Sequence, residues 1–396
     1  MNELLKRALS LKDELKANRR YLHQHAELGM HLPVTANFVE AKLQEMGYAP
    51  QRLGEYGIIA QAGKGHKGKT ILLRADMDAL PLLEESGLPF ASLTQAAHCC
   101  GHDLHTTMLL AAAKLLKEQE GALRGTIRFL FQPGEETGEG AKAMIEAGVL
   151  QDPCPDAVVA LHVNAKAPLN QLSYGIGRTF SSNDQIDIVV QGAGGHAARP
   201  HEAADPIQAA NHICLALQTI RISNIMPMEP FILTVTAIQG GTGYNTIPDA
   251  VTIKATLRAY NEAIRIQGHK RIKEICSTTA QALGTTARVS FSAGIPPMDC
   301  SPDFTRELLG YAGEVLSAES IANQGEVKMG SEDFAFITSL YPDSSGYLFI
   351  GAGPDKATGY PYGQHSSKVV FNEDVLPYGA AVMAHCAVKW LENTEK

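Results

Sequence analysis

The chain has 396 residues, 45% of them hydrophobic and 19% charged, with a formal net charge of -8. This is the composition of a globular protein in water, and the lack of any basic excess argues against a nucleic-acid partner. No stretch approaches the roughly 18 apolar residues of a membrane span, and the length exceeds what one hydrophobic core usually fills, which predicts two domains.

Residues 3 to 47 read as helices. Leu4, Leu11 and Leu15 share one face of the first. A further helix runs from Thr35 to Met46, with Gly47 as its stop. The N-terminal segment is amphipathic and lacks the unbroken apolar core of a secretion signal, so the expected location is cytoplasmic. Short apolar runs follow at 58–60, 70–73, 127–131 and 157–161, with a helical stretch from Thr106 to Gln119. Strands alternating with helices predict an α/β fold, a mainly parallel sheet flanked by helices.

Near Phe180 the pattern changes. Residues 184–190 alternate polar and apolar, as a half-exposed strand should. A helix capped by Asp205 and opened by Pro206 follows. Strands come next at 231–238 and 250–260, then a helix at 262–283 and a strand at 287–292. The order strand, helix, strand, strand, helix, strand predicts an α+β ferredoxin-like unit over 181–296, ended by Pro296-Pro297. It interrupts a catalytic domain made of 1–180 and 297–396, which resumes with a strand at 347–350 and a helix at 377–391. The seven cysteines are odd in number and irregular in spacing, which predicts free thiols in a reducing compartment.

In open α/β sheets ligands bind beyond the carboxyl ends of the strands. After the strand at 70–73 come Asp76 and Asp78. After 127–131 come Glu135 and Glu136, and after 157–161 comes His162. Cys100 and His102 precede the helix at Thr106, and His365 follows the strand ending at Ile350. Thiolate, imidazole and carboxylate are the ligand set of zinc and related divalent ions. Convergence of five segments on one sheet edge predicts a metal site. One of the paired glutamates can bind metal while the other handles protons.

Three motifs, Arg74-Ala75-Asp76-Met77-Asp78-Ala79-Leu80-Pro81, Cys100-Gly101-His102-Asp103 and Phe131-Gln132-Pro133-Gly134-Glu135-Glu136, resemble the aminoacylase/carboxypeptidase family of di-metal hydrolases. The nearest branch is that of hippurate hydrolases and indoleacetyl-amino-acid hydrolases. Gly194-Gly195-His196, Asn245-Thr246-Ile247-Pro248-Asp249, Arg258 and Gly330-Ser331-Glu332-Asp333 extend the resemblance over nearly the whole chain. It implies two divalent ions, zinc or manganese with cobalt or nickel as alternatives. Cys100, His102, Glu136, His162 and His365 would be the ligands, with Cys100 bridging. Glu135 would be the catalytic base, and Asp78 would orient a ligand. The inserted domain would mediate a homodimer or higher oligomer. From it His196 would stabilise the oxyanion in a neighbouring subunit, and Asn245 and Arg258 would hold the substrate. The implied reaction is hydrolysis of an N-acyl (acetyl or aroyl, hippurate-like) amino acid. The alternatives are a dipeptidase or carboxypeptidase on small peptides, a cysteine hydrolase with Cys100 as nucleophile and His102 as base, or a metal-binding protein without catalysis. The chain departs from the family at Cys99, Gly134, Ser366-Ser367 and Ala26. Cys99, beside Cys100, is expected to point away from the site.

Overall fold

The computed structural model describes residues 1–63, 65, 68–322, 329–353 and 361–393. The chain divides into two compact units. The larger comprises Met1–Thr179, Asp299–Val327 and Phe336–Lys396, and the smaller comprises Phe180–Met298 and Lys328–Ala335. The sequence pattern placed the insertion at 181–296, and the smaller unit also takes in the later segment Lys328–Ala335.

In chain order, the first part of the larger unit forms α1 (Glu3–Ser10), α2 (Lys12–Gln24), α3 (Pro33–Glu45), β1 (Gln51–Leu53), β2 (Gly57–Ala62), β3 (Thr70–Asp76), α4 (His102–Glu118), β4 (Thr126–Gln132), α5 (Gly140–Glu146), β5 (Ala157–Asn164) and β6 (Leu172–Tyr174). The smaller unit forms β7 (Asn183–Gln191), β8 (Gly195–His196), α6 (Pro206–Leu217), β9 (Phe231–Gln239), β10 (Thr246–Ile247), β11 (Ala250–Ala259), α7 (Glu262–Ala282) and β12 (Thr286–Ile295). The larger unit resumes with α8 (Pro302–Gly313), β13 (Ser345–Gly351) and α9 (Leu376–Asn393).

The sheet of the larger unit runs β1-β2-β4-β3-β5-β13-β6. Its centre, β4-β3-β5-β13, is parallel, while β1, β2 and β6 pair antiparallel at the edges. Every residue of β3, β4 and β13 is buried, so both faces of these strands are covered and their sequences are mostly apolar on both. The connection from β3 leads to β4 on one side, and β5 lies on the other. Pairing of β3 with β5 ends at Arg74 and Ala160. Beyond that point β3 continues along β4 to Asp76, and β5 continues along β13 to Asn164. The two strands therefore part at their carboxyl ends, the place where such sheets bind ligands.

The smaller unit is an antiparallel sheet ordered β9-β11-β7-β12. Ile186, Ile188, Ile253 and Leu257 of the sheet pack with Ile213 of α6 and Ile272 of α7. The chain order of these elements is that of a ferredoxin-like unit. Asp205 and Asn261 cap α6 and α7 by accepting backbone N–H groups. No helix among the described residues is long and apolar enough to cross a membrane.

Candidate metal centre

The helix pattern in the sequence starts at Thr106, but α4 begins at His102. The cause is Gly101, which turns the chain with φ 98° and lies so close to the Val163 side chain that a Cβ would collide with it. His102 therefore stands on the first turn of a helix, held more firmly than a loop would hold it. Cys100 precedes the turn, and its Sγ lies 3.5 Å from His162 Nε2. His162 is not after its strand, as the apolar run suggests, but within it, because β13 pairs with β5 as far as Asn164.

Glu135 and Glu136 follow β4 across Gly134, whose φ of 71° and contact with the Met30 sulfur leave no room for a side chain. Asp78 fixes this loop. Its two carboxylate oxygens accept the backbone N–H groups of Glu135 and Glu136, each at 3.0 Å. Asp78 Oδ1 also lies 3.4 Å from His102 Nδ1. One carboxylate thus faces a ligand candidate and anchors the candidate base. His365 adopts φ 66°, a left-handed conformation uncommon for histidine, and its N–H is bonded to the Cys99 carbonyl at 3.0 Å. Its side chain is 57% exposed, with Nε2 3.5 Å from Glu136 Oε1.

Three overlapping sets of ligand atoms lie within 4.8 Å of one another: Cys100, His102 and His162; Cys100, Glu136 and His365; and His102, Glu135 and Glu136. All five predicted ligands and the predicted base are brought together, and Cys100 belongs to two sets. The residues fit divalent ions on their own bonding. Both ring nitrogens of His102 and Oε1 of Glu136 are buried without a hydrogen-bond partner, which costs free energy unless something else satisfies them. Burial pushes the Cys100 thiol well above its ordinary value, with Glu136 and Glu135 adding to it against the pull of His102. Burial likewise raises the Glu136 carboxyl, opposed by His102 and His365. Metal binding here must release the thiol proton. Cys99 packs into the hydrophobic core while Cys100 faces His162, and burial lifts the Cys99 thiol to about 12.

The sequence motifs include Asp76 and Asp103 but do not show the two buried groups they form. Asp103, next to His102, accepts from Arg19 Nε at 2.7 Å and from His23 at 2.8 Å. His23 reaches on to Glu84 at 3.1 Å. Burial opposes ionisation of Asp103, but Arg19 and His23 outweigh it and hold its carboxyl far below the usual carboxylate range. The second group is Asp76 with His105, 2.6 Å apart and buried. A signal for it existed: His102 and His105 are three apart on a helix and so share a face.

In the smaller unit β8 pairs with β10, so that Thr246 lies opposite His196, and the Ala197 N–H bonds the Asn245 carbonyl at 3.0 Å. His196 and Asn245 are thereby neighbours, and both are exposed. The Ala198 N–H donates to His196 Nδ1 at 3.1 Å, which puts the ring proton on Nε2. Arg258 stands on β11 with a buried Nη1 that has no hydrogen-bond partner, and burial lowers its pKa. Asp184, the acidic group whose charge acts on it, is already taken by a two-bond pair with Arg265. All seven cysteines are free thiols.

Residues 72–389 match the peptidase family M20/M25/M40. The chain belongs to that family. It is 36% identical over 379 residues to the IAA-amino acid hydrolase ILR1-like 4 of Arabidopsis thaliana, covering 94% of this chain and 84% of the relative. It is 34% identical over 394 residues to the hippurate hydrolase of Campylobacter jejuni, covering 98% and 100%. A Bacillus subtilis dinuclear metal-binding peptidase of the M20 family superposes with a TM-score of 0.81 at 28% identity, covering 97% and 99%. This family member is a metal-dependent amidohydrolase, and its candidate ligand cluster has the composition of a two-metal site.

Proposed function

We propose that the chain hydrolyses the amide bond of N-acyl amino acids bearing an acetyl or aroyl group, giving a carboxylate and a free amino acid. The observation that carries this reading is the placement of Glu135. It directly precedes the candidate ligand Glu136, on a loop pinned by Asp78, with its carboxylate 3.9 Å from His102 Nε2. Cys100, His102, Glu136, His162 and His365 would hold two ions. The thiol favours zinc, with manganese, cobalt or nickel as alternatives. Bound there, such ions supply a Lewis acid and make a water more acidic. Glu135 takes a proton from the attacking water and delivers it to the departing amine. His196 presents Nε2–H, the donor an oxyanion needs, and such a donor is worth about 3–4 kcal/mol of barrier. Arg258, whose Nη1 has no hydrogen-bond partner, offers a planar fork for the substrate carboxylate, and Asn245 lies beside His196 as a further substrate contact.

The names of the relatives, a hippurate hydrolase and an IAA-amino acid hydrolase, support acyl-amino acids as the substrate class. Cys100 as a nucleophile fits poorly, since burial keeps its thiol protonated and it shares its surroundings with four other ligand candidates. We also assign the smaller unit to homodimer formation. Leu215, Ile222, Met226 and Met228 stand exposed on it, the kind of apolar surface that a partner copy would cover. Seven free thiols suit a cytoplasmic location. A hydrolysis screen tests the reading, using N-acetyl and N-benzoyl amino acids and dipeptides on chelated protein reloaded with zinc or manganese. Turnover of the acyl-amino acids is expected. Turnover of dipeptides alone would replace the reading with a dipeptidase.

A further inference from the structure

Val163 follows the proposed ligand His162, and its backbone is bonded in a way the sheet does not explain. The pairing of β3 with β5 has ended three residues earlier, at Ala160. The Val163 N–H donates instead to a side chain, His105 Nε2, at 2.9 Å. The Val163 carbonyl accepts from two side chains, His162 Nδ1 at 2.7 Å and Gln364 Nε2 at 2.8 Å. His105 lies one helical turn from His102, and Gln364 immediately precedes His365. The backbone of one residue therefore joins the three segments that carry the three candidate imidazole ligands.

The bonding of His105 has a fixed direction. Its Nδ1 stands 2.6 Å from Asp76 Oδ1, and the other Asp76 oxygen accepts from Arg74 at 2.7 Å. A carboxylate accepts, so His105 Nδ1 carries the proton and Nε2 keeps the lone pair that the Val163 N–H needs. Asp76, His102 and His105 are close enough to suggest a further cation site, but both nitrogens of His105 are already used. On the other side of Val163, His162 donates from Nδ1 and so leaves the Nε2 lone pair toward Cys100 Sγ.

We propose that His105 and Gln364 are positioning residues which, through the Val163 backbone, orient His162 and place His365 for metal binding. The proposal rests on the two-metal reading above. Neither residue belongs to the candidate ligands, the base or the proposed substrate contacts. Each supports a ligand from behind, and supports of this kind change metal affinity about 10–100-fold when removed.

The test is a competition titration of metal-free protein with zinc against a chromophoric chelator, alongside melting of the same metal-free samples. His105→Asn keeps a donor for Asp76 but removes the acceptor for Val163. His105→Gln restores an acceptor at the position of Nε2. The expected result is zinc affinity lowered about 10–100-fold in His105→Asn and recovered to within about threefold of wild type in His105→Gln. Gln364→Ala, at a half-exposed position, should lower affinity about tenfold with melting unchanged. Wild-type affinity in folded His105→Asn overturns the proposal, as does a His105→Gln protein as weak as His105→Asn. If His105→Asn does not fold, Gln364→Ala decides, and wild-type affinity there overturns it. Wild-type protein that holds no zinc overturns the two-metal reading itself, a different outcome from equal zinc affinity in all four proteins.

Discussion

The candidate metal centre of the larger unit and the His196 region of the smaller unit are built on opposite principles. The first is largely buried, with His365 alone of its members exposed, and is held from behind at nearly every residue. Asp78 pins the paired glutamates, Gly101 sets the start of α4, and the Cys99 carbonyl holds His365 in a strained conformation. The second is exposed, on a two-residue ladder, with one backbone bond fixing the His196 ring. Metal ligands must be placed to within fractions of an ångström, a demand met here by a strand under His162, a helix turn under His102 and hydrogen-bonded loops under Glu136 and His365. A group that meets a substrate must stay open to it. Substitutions should therefore separate along this line: changes at the candidate ligands and their supports should alter stability or metal binding, and changes at Glu135 or His196 should alter turnover alone.

The largest effect is expected at Glu135. Glu135→Gln keeps the shape of the side chain and leaves the ligand candidates untouched, so metal content should stay at wild-type level. Turnover should fall about 10²–10⁴-fold. A variant that turns over normally sinks the base assignment. Next comes the clamp beneath the first turn of α4. Asp103→Ala leaves Arg19 buried without its main partner and should destabilise the larger unit by about 3–5 kcal/mol in denaturant unfolding. Loss below ~1 kcal/mol would show that this clamp matters less than its burial suggests.

His196→Ala should behave in the opposite manner, with kcat down about 10²–10³-fold and no change in melting or metal content. Mixed with Glu135→Gln under conditions of subunit exchange, it should regain activity if each centre draws its His196 from the partner copy. Verified hybrids without activity would contradict that arrangement. A smaller effect tests the clamp by pH. The Glu84 carboxyl is held at about 2, below its ordinary 4.5, because the His23 bond, the Ser86 hydroxyl and the Ser92 N–H outweigh its burial. A depressed carboxylate stabilises the fold fully above its unfolded value and loses that contribution as pH falls through 4.5 toward 2. Allowing for solvent screening this is about 1–2 kcal/mol. The melting difference between wild type and Glu84→Gln should therefore shrink from pH 7 to pH 3, and a difference that persists at low pH would contradict the assignment. His23 works in the other sense. Its pKa is raised, because the bonds to Asp103 and Glu84 outweigh its burial and the charge of Arg19, so its contribution fades as pH rises.

The same contrast marks what the sequence could reveal. The strands at 70–76, 126–132 and 157–164 were legible from the short apolar runs at 70–73, 127–131 and 157–161, because parallel strands covered on both faces are mostly apolar. The ligand candidates were legible because metal binding needs rare residue types at strand ends. The supports were harder to see. Asp78 read as a residue that orients a ligand, but its two bonds to backbone N–H groups leave no trace in residue type. His105 and Gln364 act on the backbone of a valine, and a valine carries no chemical signal at all. The start of α4 was missed by four residues because a left-handed glycine, and not a polar cap, begins the helix. In the smaller unit the alternating strands, with Asp205 as a cap, gave the order of elements, while nothing in residue type shows that Asp184 pairs with Arg265 or that Arg258 Nη1 has no hydrogen-bond partner.

The most direct test of the two-metal account is a stoichiometric reload. Protein stripped by a chelator is titrated with zinc while bound metal and hydrolysis of an N-acyl amino acid are followed together. The account predicts no turnover in the stripped protein and recovery complete at two ions per chain, with Glu135→Gln taking up the same two ions and remaining inactive. Turnover that survives full removal of metal would contradict it.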